Sequence, residues 1–231
     1  QINELLTFSK IEMKQMRISV RKGDIMHFLE ELSHIFDIVA GEREIDFIVN
    51  LEDTEEEVWF SPSKLERILY NLLSNAFKYT QPGGYVKLSA KLIKEEKGTF
   101  VQISVKDNGR GIPKEAQEQI FESYYQVEKR DHREGFGLGL SLTRSLIHMH
   151  KGEIRVESEI NKGSDFIVTL NVSEDAYNPD ERSSENITTE EIQKYNQRIK
   201  ETIELIPEKL TNKEKDPARE SIMTVSYTHL R

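Results

Sequence analysis

Apolar residues along this chain recur at two spacings, and the switches between them mark out its elements. Ile2, Leu5, Leu6, Ile11 and Met13 follow a helical period, so residues 1–17 are expected as one member of a helical pair. Gly23 punctuates, and Asp24 is the expected N-cap of a second helix carrying Phe28, Leu29, Leu32, Ile35 and Phe36 on one side. Strands are expected near residues 45–51 and 58–60. Ser61-Pro62 then supplies an N-cap and a first-position proline. Leu65, Ile68, Leu69, Leu72, Leu73 and Ala76 make the next stretch an amphipathic helix suited to lie on a sheet. Gln81-Pro-Gly-Gly84 ends it. Residues 85–93 and 99–107 alternate around Glu95-Glu-Lys-Gly98, which reads as a hairpin. A short helix is expected over 113–121, a charged, weakly patterned stretch over 122–134, and a helix over 138–150. Residues 153–158 and 165–172, joined through Asn161-Lys-Gly163, form a final hairpin.

Beyond Ser173 the pattern fades. Ser, Asn, Asp and Glu dominate to about residue 187, which reads as linker. Thr188-Thr-Glu-Glu191 resembles a capping box and predicts a helix to about Leu205, before Pro207. Residues 208–231 receive no assignment. The formal net charge of -9 argues against a general nucleic-acid surface. With no cysteine, the chain has no disulfide, thiolate metal site or cysteine nucleophile. No apolar run is long enough to cross a bilayer as a helix.

Three separated stretches carry chemistry. In Asn71-Leu-Leu-Ser-Asn75-Ala-Phe-Lys78-Tyr79, two amides and an ammonium share one helix stripe beside the apolar face. Amide oxygens suit Mg2+, which prefers hard oxygen ligands, and a lysine neutralises phosphate. The same stripe also fits a plain solvated face. In Asp107-Asn-Gly109-Arg-Gly111-Ile112-Pro113, Asp107 continues the alternation of Val101, Ile103 and Val105, so its carboxylate is predicted to face the core. An adenine amine would supply the hydrogen bond such a buried group needs. A simple strand-to-helix turn is the plainer reading of that stretch alone. Gly135-Phe136-Gly137-Leu138-Gly139-Leu140 is neither a Walker A loop nor a dinucleotide fingerprint, but it offers bare N–H groups at a helix start, where phosphates bind. Lys129, Arg130, His132 and Arg133 before it fit a phosphate-contacting lid or a solvated loop.

In order and spacing, these motifs and Ile120-Phe121-Glu-Ser-Tyr-Tyr125 resemble the N, G1, G2 and F boxes of sensor histidine kinases, within the GHKL ATPase superfamily. The resemblance spans about residues 60–172. It implies an α/β (α+β) sandwich of Bergerat type: a mixed, largely antiparallel sheet with helices on one face and ATP under a lid, preceded by a helical remnant. It further implies Mg2+ on Asn75, phosphate-side support from Asn71, and phosphate and nucleoside contacts from Lys78 and Tyr79. Asp107 would take the adenine amine, with Gly109, Gly111, Ile112 and Phe121 shaping the base pocket. Gly135, Phe136, Gly137, Leu138, Gly139 and Leu140 would pass the phosphates. Ser164 stands where the family usually has Thr, and Ser61 where many members have an acid. Hydrolytic relatives place a Glu where this chain has Asn71, which cannot act as a general base. That favours a kinase over the alternatives, a GHKL ATPase, a serine protein kinase of that superfamily or a non-catalytic nucleotide-binding module.

The acceptor expected of such a kinase is a helical His followed by an acid and a Thr/Asn-Pro. None of the six histidines has that context; His34 is the nearest, and His148 and His150 read as ordinary helix-end residues. The resemblance therefore implies residues 1–40 as the end of a dimerisation helix and a connector, 41–173 as the catalytic domain, and 174–231 as linker, helix and tail. The implied partners are an upstream histidine-bearing dimerisation domain, a receiver domain of a response regulator, and a second copy in a homodimer. The fragment is expected in the cytoplasm, and the resemblance leaves open an inner-membrane anchor on its parent protein.

Overall fold

Short runs of alternating side chains give this chain its strands, and longer 3.6-residue stripes give its helices. In the computed structural model, which describes residues 16–125 and 137–204, β1 (Arg21–Asp24) leads into α1 (Ile25–Ser33) and α2 (Ile35–Arg43). β2 (Asp46–Leu51), β3 (Glu57–Phe60), α3 (Pro62–Tyr79), β4 (Tyr85–Glu95) and β5 (Gly98–Asp107) follow. Two 3-10 turns, Lys114–Ala116 and Gln119–Phe121, precede α4 (Gly139–Met149) and the hairpin of β6 (Glu153–Glu159) and β7 (Gly163–Asn171). Two further 3-10 turns lead to α5 (Thr189–Glu204).

Five strands form one sheet in the order β2–β4–β5–β7–β6, with β2 and β4 parallel and every other pair antiparallel. Val86, Leu88, Ala90, Val101, Ile103 and Val105 are buried, whereas the alternate residues Lys87, Ser89, Lys91, Gln102, Ser104 and Lys106 are not. One face therefore carries the core and the other meets solvent. Onto the core face pack Leu65, Ile68, Leu69, Leu72, Leu73 and Ala76 of α3, with Leu142, Leu146 and Ile147 of α4. Each fully buried Leu or Ile is worth about 1.5–3 kcal/mol, so this seam holds α3 and its polar edge in place. The expected mixed, mostly antiparallel sheet with helices on one face is what forms.

The chain departs from its sequence pattern at several places. Met16 and Arg17 are not helical, and the rest of the first expected helix lies outside the described residues. The strand β1 was not foreseen; it pairs antiparallel with β3, Arg21 opposite Phe60, and a strand of four residues leaves too little alternation to read. Asp24 does cap α1, accepting from the His27 N–H at 2.9 Å. The single helix expected beyond it is broken at His34, where the Ser33 hydroxyl bonds the Glu30 carbonyl at 2.7 Å and competes with the helical ladder. Phe28, Leu29, Leu32 and Phe36 lie in the same core as α3, and Phe36 stacks on Phe77 with centroids 5.7 Å apart. The helix expected over 113–121 is a pair of 3-10 turns.

Residues 174–187 are pinned to the body. Tyr177 is 3% exposed, and its hydroxyl donates to the Asn171 carbonyl at 2.5 Å, with the His150 carbonyl 3.3 Å away. Thr188 and Glu191 form the expected capping interaction, and α5 then buries Ile192 and Ile199, sets Tyr195 edge-on to Phe28, and ties to β1 through Arg21 and Glu191 at 2.8 Å. His150 is no ordinary helix-end residue. It is fully buried; its Nδ1–H donates to the Leu146 carbonyl at 3.0 Å, and its Nε2 accepts from the Ser61 N–H at 3.2 Å. Ser61 occupies the expected N-cap position of α3, but its side chain makes no capping bond.

Candidate functional site

The polar edge of α3 meets two different parts of the chain. Near its middle, the Asn71 Nδ2 donates to Thr143 Oγ1 at 2.7 Å, and a Cβ added at Gly139 would lie 2.6 Å from Asn71 Oδ1. The missing side chain at Gly139 thus lets the start of α4 close directly onto that amide. Asn71 is a strut between helices. One turn further on, the half-buried Asn75 side chain makes no hydrogen bond to another described residue.

At its end, α3 meets the turn after β5. The Arg110 N–H points at the Tyr79 carbonyl at 3.4 Å, and a Cβ on Gly109 would sit 2.3 Å from that same oxygen. Backbone therefore packs on backbone, which only glycine allows at 109. The Tyr79 ring has the Arg110 guanidinium 4.2 Å and the Lys78 ammonium 5.0 Å from its centroid. With the Arg43 guanidinium donating to the Phe77 carbonyl at 2.6 Å, cations gather at the negative end of the helix. The two contact zones, at Asn71 and Tyr79, are about 12 Å apart along α3 by helical rise, with Asn75 midway.

Asp107 sits at the end of β5 with its side chain turned inward as predicted, and is 4% exposed. Its Oδ1 accepts from the Gly109 N–H at 2.8 Å. Burial raises its pKa, and the Gly109 and Ser164 backbone N–H groups oppose that rise. Both known donors are backbone groups, so the carboxylate retains capacity to accept from a ligand amine.

Beneath this turn lies the hairpin of β6 and β7. Gly111, at φ 70°, places its backbone where a Cβ would lie 2.0 Å from the Glu159 carbonyl. Ser158 Oγ donates to the Gly163 carbonyl at 2.8 Å and accepts from the Ile112 N–H at 2.8 Å. Ser158 has one hydroxyl proton, already given to Gly163, so Ser164, 3.0 Å away, is the donor between the two hydroxyls. The Gln117 amide closes the network on the carbonyls of Ile112 and Ser158. Ser158, Gln117, Thr143 and Arg110 were not singled out from the sequence. A signal existed for Ser158: it follows Ile154 and Val156 on the core-facing alternation of β6, the same argument that exposed Asp107.

Phe121 packs edge-on against Phe166, with centroids 6.4 Å apart. Gly137, at φ 67°, accepts from the Tyr124 N–H at 3.0 Å, so the described residues on either side of 126–136 meet. Leu138 is 1% exposed and its carbonyl receives Leu142 N–H and Ser141 Oγ, while Leu140 packs on the core. Gly135, Phe136, Lys129, Arg130, His132 and Arg133 lie outside the described residues. Among the described residues, no three His, Cys, Asp or Glu side chains cluster as metal ligands, and no helix is long and apolar enough to cross a membrane.

Residues 60–174 match the family described as histidine kinase-, DNA gyrase B-, and HSP90-like ATPase. Histidine kinase P4 of Formosa agariphila is 31% identical over 224 residues, covering 93% of this chain, and sensor histidine kinase WalK of Bacillus subtilis is 34% identical over 176 residues, covering 75% of it. The chain spans only 16% of the first relative and 28% of the second. Among solved structures, full-length ShkA in complex with AMPPNP aligns with TM-score 0.66 and 27% identity over 74% of this chain and 35% of that one. The nucleotide-free catalytic domain of histidine kinase ThkA aligns with TM-score 0.58 and 25% identity, covering 67% of this chain and 97% of that domain.

Proposed function

Because the chain belongs to the histidine kinase-, DNA gyrase B- and HSP90-like ATPase family, we propose that it is the ATP–Mg2+-binding catalytic part of a two-component sensor histidine kinase. The observation that carries the reading is Asp107, a desolvated carboxylate whose turn is fastened to the end of the helix that bears Asn75. Asp107 accepts the adenine amine. Gly109, Gly111 and Ile112 let the base lie against backbone, with Phe121 behind it. Lys78 answers phosphate charge, Tyr79 lines the nucleoside, and Ser164 stiffens the floor through Ser158. Gly135, Phe136, Gly137, Leu138, Gly139 and Leu140 let the phosphates pass at the start of α4.

A divalent cation would be held by the Asn75 amide oxygen, a hard ligand of the kind Mg2+ prefers, together with phosphate oxygens and water. When bound, it would neutralise charge developing on the transferred group. The chain's own residues orient the nucleotide for in-line attack by a histidine outside this fragment. Asn71 supports transfer over hydrolysis: its Nδ2 is committed to Thr143, and an amide cannot take a proton from water.

The folded unit that does this is wider than 41–173. Residues 21–43 and 177–199 contribute to the same body, and the acceptor histidine on its dimerisation helix is proposed to lie outside this fragment. A receiver domain as phosphoryl acceptor, a homodimeric parent protein and a cytoplasmic location complete the proposal. Calorimetry with ATP and Mg2+ tests it. The wild-type chain is expected to bind saturably, and Asp107→Asn to bind about 10- to 100-fold more weakly with an unchanged circular dichroism spectrum. Equal affinity in both would place the base elsewhere.

A further inference from the structure

We infer that Arg110 is a positioning residue, which by clamping the Tyr79 ring fixes the turn carrying Asp107 to the helix carrying Asn75; this rests on the nucleotide-binding reading above. Between Gly109 and Gly111, Arg110 has the only side chain. The backbone alone ties this turn to α3 loosely, since the Arg110 N–H reaches the Tyr79 carbonyl at 3.4 Å, beyond the usual hydrogen-bond length. The guanidinium, 4.2 Å from the Tyr79 centroid, adds the second point of attachment on the same residue. On the other side, the Arg110 carbonyl accepts from the Asn161 N–H at 2.8 Å, so one residue joins α3, the turn and the hairpin of β6 and β7.

Two points of attachment fix an orientation where one leaves a pivot. Asp107 lies three residues before Arg110, and Asn75 one helical turn before Tyr79. A pivot lets the Asp107 turn sample orientations that no longer present the carboxylate and the Gly109 backbone to the base, so every ligand that carries adenine loses the same fraction of its binding. Lysine is a weaker substitute, because its ammonium lacks the flat face that stacks on a ring.

Affinities of ATP, ADP and adenosine, measured by calorimetry with Mg2+ on the whole chain, test this. Arg110→Met is expected to weaken all three by one common factor, about two- to five-fold. Arg110→Lys should recover part of the loss, and Arg110→Met should cost nothing further in a Tyr79→Leu background. A loss larger for ATP than for adenosine would overturn the inference, because it would put the guanidinium on the phosphates. Single losses that multiply in the double variant would overturn it too, as the two side chains would then act separately. A wild-type chain that binds none of the three would instead refute the nucleotide site itself.

Discussion

His150 offers a test of how the site helix is anchored. Its Nε2 accepts the Ser61 N–H at the head of α3 while its Nδ1–H is given to the Leu146 carbonyl, so the ring is neutral in the folded chain. Burial is the main cause, with the nearby Lys64 charge adding to it, and together they push its pKa from 6.5 down to about 4. Protonating Nε2 would set one N–H against another. Between about pH 6.5 and 4 the unfolded chain therefore binds the extra proton and the folded chain does not. Stability from this residue is complete above pH 6.5 and is lost as the pH falls through 4. At about 1.4 kcal/mol per pH unit the loss is roughly 3 kcal/mol. Glu66 slopes the other way, because burial raises its pKa to about 7, so the wild-type curve alone would mislead. The comparison is with His150→Gln, whose amide oxygen can accept the Ser61 N–H and does not titrate. Urea unfolding followed by the single tryptophan, Trp59, should show wild type the more stable at pH 7, and that advantage shrinking by about 3 kcal/mol at pH 3.5. An advantage of the same size at both values would refute a buried neutral histidine.

Other expectations test different parts of the fold. Gly163→Ala should destabilise the chain by at least about 2 kcal/mol in the same assay, because φ is 101° and the new Cβ would lie 1.9 Å from the Asp107 carbonyl. Glu66→Gln should stabilise by about 1 kcal/mol at pH 8 and by little at pH 5, since the desolvated carboxyl ionises only as the pH rises through about 7; the same urea series measures it. Asn71→Ala should cost about 1 kcal/mol through the lost bond to Thr143 and should not create steady ATP turnover, which a phosphate-release assay would detect. Chelating Mg2+ with EDTA should weaken ATP binding in calorimetry while leaving adenosine binding unchanged, because the cation is expected at the phosphate end.

The sequence by itself determined the sheet, the site helix and the inward carboxylate, because each follows from local periodicity. Leu65 to Ala76 repeat at helical spacing, and Asp107 continues a strand alternation, so neighbours a few residues away dictate their facing. The motifs could likewise be read, since their order along the chain survives without coordinates. Only the tertiary structure decided which polar groups are already engaged. Asn71 reads as equivalent to Asn75 on its stripe, yet it is held by Thr143, seventy-two residues away, and no local pattern records that distance. The polar composition of residues 174–187 reads as linker, while one buried tyrosine hydroxyl donating to the Asn171 carbonyl binds the segment down. His150 looked like a helix end and is an internal acceptor for the N–H of Ser61, just before α3. Hydrophobic patterning reports what each residue shows to its own element; hydrogen bonds between elements depend on packing, and packing is settled only when the whole chain has closed.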